Sequence, residues 1–340
     1  MERTLLQEIR AGQIAPVYLF YGTETFLMEE ALNHLEEQVL TSAENRDWNH
    51  TVLDLEEVPV QALVQEAETP SFFGDRRLVV GKNAWFLTAA RGREKQKLEH
   101  RPEELLQYAK QPLESNVLVI MVPAEKLDAR KKVVKELKKQ VREGVFQPLD
   151  SRGLHRWVAD RLKQTGADIH PDTADILIRQ VGADLRLLDM EARKLALYAS
   201  SSGTIRPETV TELVPRTLEQ DVFKLVDRVA RRKNGEAMAV FRDLLENREE
   251  PIRILALLIR QFRIMLQVKG LAAKGMSERE IASQLKLHPY PVKLALQQGK
   301  SYPEKNLRRL LYQAIETDQA IKSGRLEKTL AVERFILTVE

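Results

Sequence analysis

Two short stretches of this chain carry residue types and spacings that could do more than fold. The first is Gly22-Thr23-Glu24-Thr25, which follows the apolar run Val17-Tyr18-Leu19-Phe20-Tyr21 and precedes a helical pattern over residues 26–40. Strand, glycine turn and helix form the setting of a phosphate-binding loop. That chemistry needs glycines, so that backbone N–H groups can approach phosphate, and a lysine to neutralise it. Here there is one glycine, no lysine, and Glu24 close to where phosphate would lie. A carboxylate there repels the ligand, so the sequence predicts a degenerate P-loop that does not bind ATP in the usual way. The run Leu78-Val79-Val80 ends in Gly81-Lys82-Asn83, where an ATPase strand would end in acidic residues that hold Mg²⁺.

The second stretch is Pro70-Ser71-Phe72-Phe73-Gly74-Asp75-Arg76-Arg77. Neighbouring side chains point to different faces of a helix and to opposite faces of a strand. One regular element therefore does not bury both rings on one side. A short turn can project both as a hydrophobic plug, and full burial of each phenylalanine in a partner's pocket contributes roughly 1.5–3 kcal/mol. The alternative is that both rings pack beneath Leu78-Val79-Val80, and for these eight residues alone that is the commoner outcome.

Other candidates are weaker. Residues 128–139 carry Arg130, Lys131, Lys132, Lys135, Lys138 and Lys139, read as one helix that is either a solvated face or a phosphate-contacting patch. Arg91, Arg93, Lys95 and Lys97 fall in a polar stretch, 88–101, expected to be a mobile surface loop. Arg186 stands where an ATPase lid would hold a phosphate-sensing arginine, or is an ordinary surface arginine. Residues 277–296 have the spacing of a helix-turn-helix, opened by the capping box Ser277–Glu280. Its turn has Lys286 where glycine is usual, and Pro289 and Pro291 crowd the start of the would-be reading helix. Packing is the better reading there. The six histidines are scattered and no nucleophile–base arrangement is visible, so no catalytic site and no metal site are expected.

The elements that would position these residues fall into three parts. Strand-like runs alternating with helical patterns imply a parallel sheet with helices on its faces over residues 1–146. A small helical domain follows over 147–214. There Ser151 is expected to cap the first helix, after a linker at 146–150. An all-helical domain covers 215–340, with apolar stripes at i, i+3, i+4 and i+7. The 340 residues, 43% hydrophobic and 30% charged, suit a soluble multidomain protein of net charge +3. Zero cysteines exclude disulfides, thiol catalysis and cysteine-ligated zinc, and fit a cytoplasmic location. No apolar run approaches the roughly 18 residues of a membrane span, and the N-terminus is not expected to be a signal peptide.

Taken in order, several of these stretches resemble the delta subunit of the bacterial DNA polymerase III clamp loader, in its Gram-positive form. They are Val17-Tyr18-Leu19-Phe20-Tyr21-Gly22, Ser71-Phe72-Phe73-Gly74, Gly182-Ala183-Asp184-Leu185-Arg186-Leu187-Leu188 with Glu191 and Lys194-Leu195, Glu250-Pro251-Ile252 through Phe262-Arg263, His288-Pro289-Tyr290, and Ala320-Ile321-Lys322-Ser323-Gly324. The resemblance implies an AAA+-like domain without ATPase activity, a helical lid and a helical collar. It implies assembly with the tau/gamma ATPase and delta-prime subunits, which bind ATP in this chain's stead. Those relatives typically carry a cysteine-bound zinc module and a Ser-Arg-Cys motif, both impossible here. The resemblance further implies binding and opening of the sliding clamp, the beta subunit, for loading on primer-template DNA at the nucleoid. The protein would then be grouped with DNA-directed DNA polymerases by membership of a complex. The clamp-binding residues carried over are Ser71, Phe72, Phe73 and Gly74. The better-known family pair is Leu-Phe, so Phe72 departs from it. Arg130, Lys131, Lys132, Lys135 and Arg186 remain candidates for contact with DNA or another subunit.

Overall fold

The structure is a computed structural model that describes residues 2–41, 46–71, 76–89, 98–199 and 203–338. The chain divides into two compact units, Met1–Pro148 and Leu149–Glu340.

The first unit is built on a five-stranded parallel sheet. Its strands are β1 (Val17–Gly22), β2 (His50–Asp54), β3 (Arg77–Lys82), β4 (Asn116–Val122) and β5 (Arg142–Phe146). Their order is β2-β3-β4-β1-β5. Every neighbouring pair is parallel, which requires crossovers through helices. Those helices are α1 (Glu2–Arg10), α2 (Thr25–Val39), α3 (Arg46–Asn49), α4 (Val60–Glu68), α5 (Pro102–Lys110) and α6 (Lys132–Gln140). Strand alternation sorts the side chains into two layers. Val17, Leu19, Val79, Leu118, Ile120 and Val122 share a core with Leu63 of α4, Leu105 of α5 and Leu137 of α6. On the other face Tyr18, Phe20 and Phe146 meet edge to face, with ring centroids 5.6 and 5.1 Å apart.

The central strands β3, β4 and β1 are those expected from their apolar runs. Strands β2 and β5 were not expected, and residues 146–150 were read as following the basic helix directly. Both are edge strands. An edge strand pairs on one side only and need not be apolar throughout, so His50-Thr51-Val52-Leu53-Asp54 and Arg142-Glu143-Gly144-Val145-Phe146 lack the signature of a fully buried strand.

The second unit begins with α7 (Ser151–Gln164), α8 (Pro171–Val181), α9 (Leu185–Tyr198) and α10 (Pro207–Leu213). A two-stranded parallel ribbon, β6 (Asp168–Ile169) and β7 (Thr204–Ile205), lies among them. Asp150, not Ser151, caps α7, its carboxylate accepting from the Gly153 N–H at 2.8 Å. Asp184 caps α9 as expected, accepting from the N–H groups of Arg186 and Leu187. Beyond Pro215-Arg216-Thr217 come α11 (Leu218–Ala230), α12 (Asn234–Glu246), α13 (Pro251–Ala273), α14 (Glu278–Leu285), α15 (Pro289–Lys300), α16 (Glu304–Lys322) and α17 (Lys328–Leu337). Their apolar stripes converge on one core around Phe241, Phe262, Met265 and Leu307. The 23-residue α13, about 35 Å long at 1.5 Å per residue, is its spine.

Candidate functional site

In open α/β sheets, ligands bind outside the carboxyl ends of the strands. In the first unit this edge is filled by the chain itself. Gly22 ends β1 with φ at +146°, and a Cβ there would lie 1.7 Å from the Phe146 carbonyl oxygen. Only glycine fits such an approach. That same oxygen accepts from the Glu24 N–H at 3.1 Å. The turn that would wrap a phosphate with N–H donors is thus closed onto a carbonyl, the wrong end of a dipole for an anion. Further along the edge, Asn83 Nδ2 donates to both Asp54 carboxylate oxygens at 3.1 and 3.0 Å. Lys131 Nζ donates to the Phe86 carbonyl at 2.6 Å, and the Asp128 N–H to the Leu87 carbonyl at 2.9 Å. Among the described residues no group of three His, Cys, Asp or Glu could hold a metal ion.

The opposite, amino edge carries a different construction. Of the predicted turn, Phe72, Phe73 and Gly74 lie outside the described residues; Ser71 and both stems are described. Helix α4 ends at Glu68, and the last carbonyls of a helix have no partner within it. Here they find one in β4. Asn116, fully buried, donates through Nδ2 to the carbonyls of Ala67 at 2.7 Å and Thr69 at 2.8 Å. The Tyr108 hydroxyl reaches the Ala67 carbonyl as well, at 3.2 Å, and burial pushes that phenol's pKa up. Ser71 Oγ donates to Oδ1 of the buried Asn49 at 3.1 Å. On the return side, the Arg77 N–H donates to the Ser115 carbonyl at 3.1 Å. The buried Arg77 guanidinium bridges Glu66 of α4 and Thr51 of β2, the latter at 3.0 Å. Asn49 Nδ2 and Arg77 Nε are buried donors without an acceptor among the described residues. Trp48, next to Asn49, is 70% exposed.

The sequence analysis singled out Ser71; the structure adds Asn49, Tyr108, Asn116 and the Arg77 guanidinium as groups that bond the stems. A signal was present: Asn116 opens an otherwise apolar strand, and Arg77 directly precedes the apolar run Leu78-Val79-Val80.

The basic stretch is not one helix. Residues 128–131 form a turn and α6 starts at Lys132. In that turn Arg130 grips Asp128 through two bonds, at 2.9 and 3.0 Å. This holds the Asp128 carboxyl well below the usual range, at about 2. Lys138 is tied to Glu143 and lies over the Tyr21 ring. Lys132 and Lys135 are exposed. Arg130, Lys131 and Lys132 stand at the carboxyl edge, where Lys131 meets the Phe86 carbonyl, and Ser71 at the amino edge, so the structure does not bring them together. Arg186 is exposed in the first turn of α9. The expected surface loop 88–101 is partly outside the described residues, at 90–97. Its end is fastened rather than loose: the Glu99 carbonyl accepts from Gln61 Nε2 at 3.0 Å, and His100 stacks on Phe86 at 4.5 Å.

The helix-turn-helix candidate is engaged in packing. Ile281, Ala282, Val292 and Ala295 belong to the helical core. Lys293 Nζ donates to Ser151 Oγ of α7 at 2.7 Å. Tyr290 and His288 are largely buried at the start of α15, where bases would be read. Burial pushes the tyrosine up to about 12 and the histidine down to about 4. Both halves of the Ser277–Glu280 capping box are formed. Lys286 adopts the left-handed conformation expected only of glycine, with φ 54° and ψ 43°. The Leu287 N–H to Ala282 carbonyl bond at 3.0 Å and Leu287's packing against the core offset that strain.

Comparison with known proteins bears on both units. Residues 18–144 match the family model for DNA polymerase III, delta subunit. Residues 219–339 match that for the DNA polymerase III delta subunit, C-terminal domain. The DNA polymerase III subunit delta of Bacillus subtilis is 37% identical over 331 residues, 97% of this chain and 94% of that protein. The chain belongs to the DNA polymerase III delta-subunit family. A delta-family chain from Aquifex aeolicus, named as a probable DNA polymerase III subunit delta, is 24% identical over 81% of this chain and 78% of its own length. The solved structure of the Bacillus subtilis DNA clamp loader delta protein superposes with a TM-score of 0.82 at 36% identity, covering 100% of this chain and 99% of that one. The delta fold is thus an AAA+-like parallel-sheet domain followed by helices, and its C-terminal family segment starts one residue into α11.

Proposed function

We propose that this delta-family chain grips the sliding clamp, the beta subunit, through Ser71-Phe72-Phe73-Gly74 and stabilises the opened ring for loading onto primer-template DNA. The observation that carries the reading is the amino-edge bracket. Paired phenylalanines stand in a stretch whose two stems are tied to the same end of β4, in a family whose solved relative is described as a clamp loader. In the chain the stretch falls between α4, which ends at Glu68, and β3, which starts at Arg77. A ligand shifts an equilibrium only by its differential affinity for the two states, so the plug must bind open clamp better than closed.

ATP chemistry falls to partner subunits in this reading, the tau/gamma ATPase and delta-prime. The closed Gly22–Glu24 turn supports that division of labour. So does the carbonyl placed where an anion would sit. The chain itself then performs no catalysis. The lid, 147–214, lies in the second unit but for its first two residues, and the collar, 215–340, through which the loader assembles, lies wholly within it. Of the basic candidates, Lys132 and Lys135 are the better placed for phosphate, because Arg130 and Lys131 already have partners within the chain. The helix-turn-helix regulator is disfavoured, since α15 packs inward.

The test is clamp binding by the parent and by Phe72→Ala/Phe73→Ala. Two phenylalanines at roughly 1.5–3 kcal/mol each predict a loss of at least about 100-fold in affinity, with an unchanged circular-dichroism spectrum. Equal binding by the two proteins refutes the plug.

A further inference from the structure

We infer that Asn116 is a positioning residue for the clamp-binding stretch, with Ser71 and Arg77 as its partners, an inference that rests on the reading proposed above. Residue 116 opens a strand whose other six residues, Val117-Leu118-Val119-Ile120-Met121-Val122, are all apolar and buried. An apolar residue would serve the sheet equally, because the ladder to β3 is made by backbone atoms. A buried amide is costly unless its hydrogen-bonding groups are paired. Here they are: both Nδ2 bonds run to the end of α4, and Oδ1 accepts from Ser115 Oγ at 3.1 Å.

Those bonds have a geometric consequence. The chain passes Thr69, whose carbonyl is held by Asn116, and returns at Arg77, whose N–H is held by the Ser115 carbonyl at 3.1 Å. Entry and exit of the stretch 70–76 are thus fastened to two consecutive residues, Ser115 and Asn116, where β4 begins. Ser71 and Arg77 add lateral ties to Asn49 just before β2 and to Thr51 within it. A buried guanidinium is weak evidence for stability, since apolar replacements are often as stable. Its use here is to fix where the returning chain enters the sheet. Binding through a stretch of chain pays for ordering it, and fixing both ends beforehand lowers that cost. The polar bracket therefore acts through the phenylalanines, without touching the clamp itself.

A double-mutant cycle on the full chain tests this, with purified beta clamp as the probe. The proteins are the parent, Asn116→Val, Phe73→Ala and the combination, each titrated with clamp after its folded fraction is fixed by circular dichroism. Asn116→Val is expected to weaken clamp binding about tenfold in the parent, the equivalent of one or two hydrogen bonds. In the Phe73→Ala background the loss shrinks to about threefold or less, because coupled residues are not additive. Ser71→Ala, which leaves the core untouched, gives a smaller loss with the same dependence on Phe73, and decides the matter if Asn116→Val does not fold. Equal losses in both backgrounds, or none in the parent, overturn the inference. Failure of the underlying reading looks different: Phe72→Ala/Phe73→Ala then binds clamp as tightly as the parent, whatever Asn116→Val does.

Discussion

The two edges of the N-terminal sheet are built differently. At the carboxyl edge, Gly22 lets the chain close onto the Phe146 carbonyl, and Asp54, Asn83, Phe86 and Lys131 bond to one another across the loops. This is the edge where α/β folds bind ligands, and here its Gly22 turn is closed onto the chain's own backbone. At the amino edge, buried Asn49, Arg77 and Asn116 tie down Thr69, Ser71 and the start of β3, the stems on either side of the two phenylalanines in the chain. In the function proposed above, the fold keeps its architecture while the working edge changes sides. What matters is which loops are tied down and what they then present.

Three experiments would break or sharpen that contrast at the carboxyl edge, complementing the clamp titrations at the amino edge. The largest effect is expected for Gly22→Val. Its side chain would overlap the Phe146 carbonyl and be forced to a φ of +146°, which should destabilise the first unit by about 3 kcal/mol in urea denaturation. The fraction that folds should bind clamp as the parent does. A change under about 0.5 kcal/mol would mean that the turn is open and the contrast is wrong.

Next comes the Asp128–Arg130 pair. In Arg130→Ala the Asp128 carboxyl should rise from about 2 toward the usual carboxylate value, followed by NMR of the carboxyl carbon as pH is varied. The folded chain holds this group below its unfolded value. The pair therefore contributes stability above the ordinary carboxylate range and loses it as pH falls through that range toward about 2. Arg130 is exposed, so solvent screens the contribution and the midpoint of unfolding at neutral pH should barely move. An unchanged Asp128 titration would remove the pair from the list of ties that close this edge.

The smallest effect, none at all, is expected for Glu24→Lys. It restores the charge that a phosphate loop needs but leaves the Phe146 carbonyl bonded to the residue-24 N–H. Calorimetric titration with Mg-ATP should show no binding. Binding would mean that a single carboxylate, rather than the closed backbone, disables the site.

Much of this was legible in the residues. The continuous apolar runs of β1, β3 and β4 can only be strands buried on both faces. Pro171, Pro251 and the Ser277–Glu280 box mark helix starts, because their chemistry suits the unpaired N–H groups there. The missing lysine and the presence of Glu24 predict a degenerate phosphate loop, and the turn at Gly22 closes onto the Phe146 carbonyl. Edge strands β2 and β5 were not legible, since half-exposed strands share their composition with loops. The basic stretch misled for a related reason: Arg130 and Lys131 look helical by proximity to Lys132 and Lys135. Their partners, Asp128 and the Phe86 carbonyl, hold them in a turn instead.

By itself, then, the sequence determined which central strands are buried and where several helices begin, because those follow from residue type and local spacing. Only the tertiary structure decided how each loop is held. The Phe146 carbonyl in the Gly22 turn comes from 124 positions further along the chain by residue number. The Asn116 amide under the end of α4 comes from 49 and 47 residues away. Such bonds depend on the order in which parallel strands are laid down. No window of sequence short enough to be read for periodicity contains both partners.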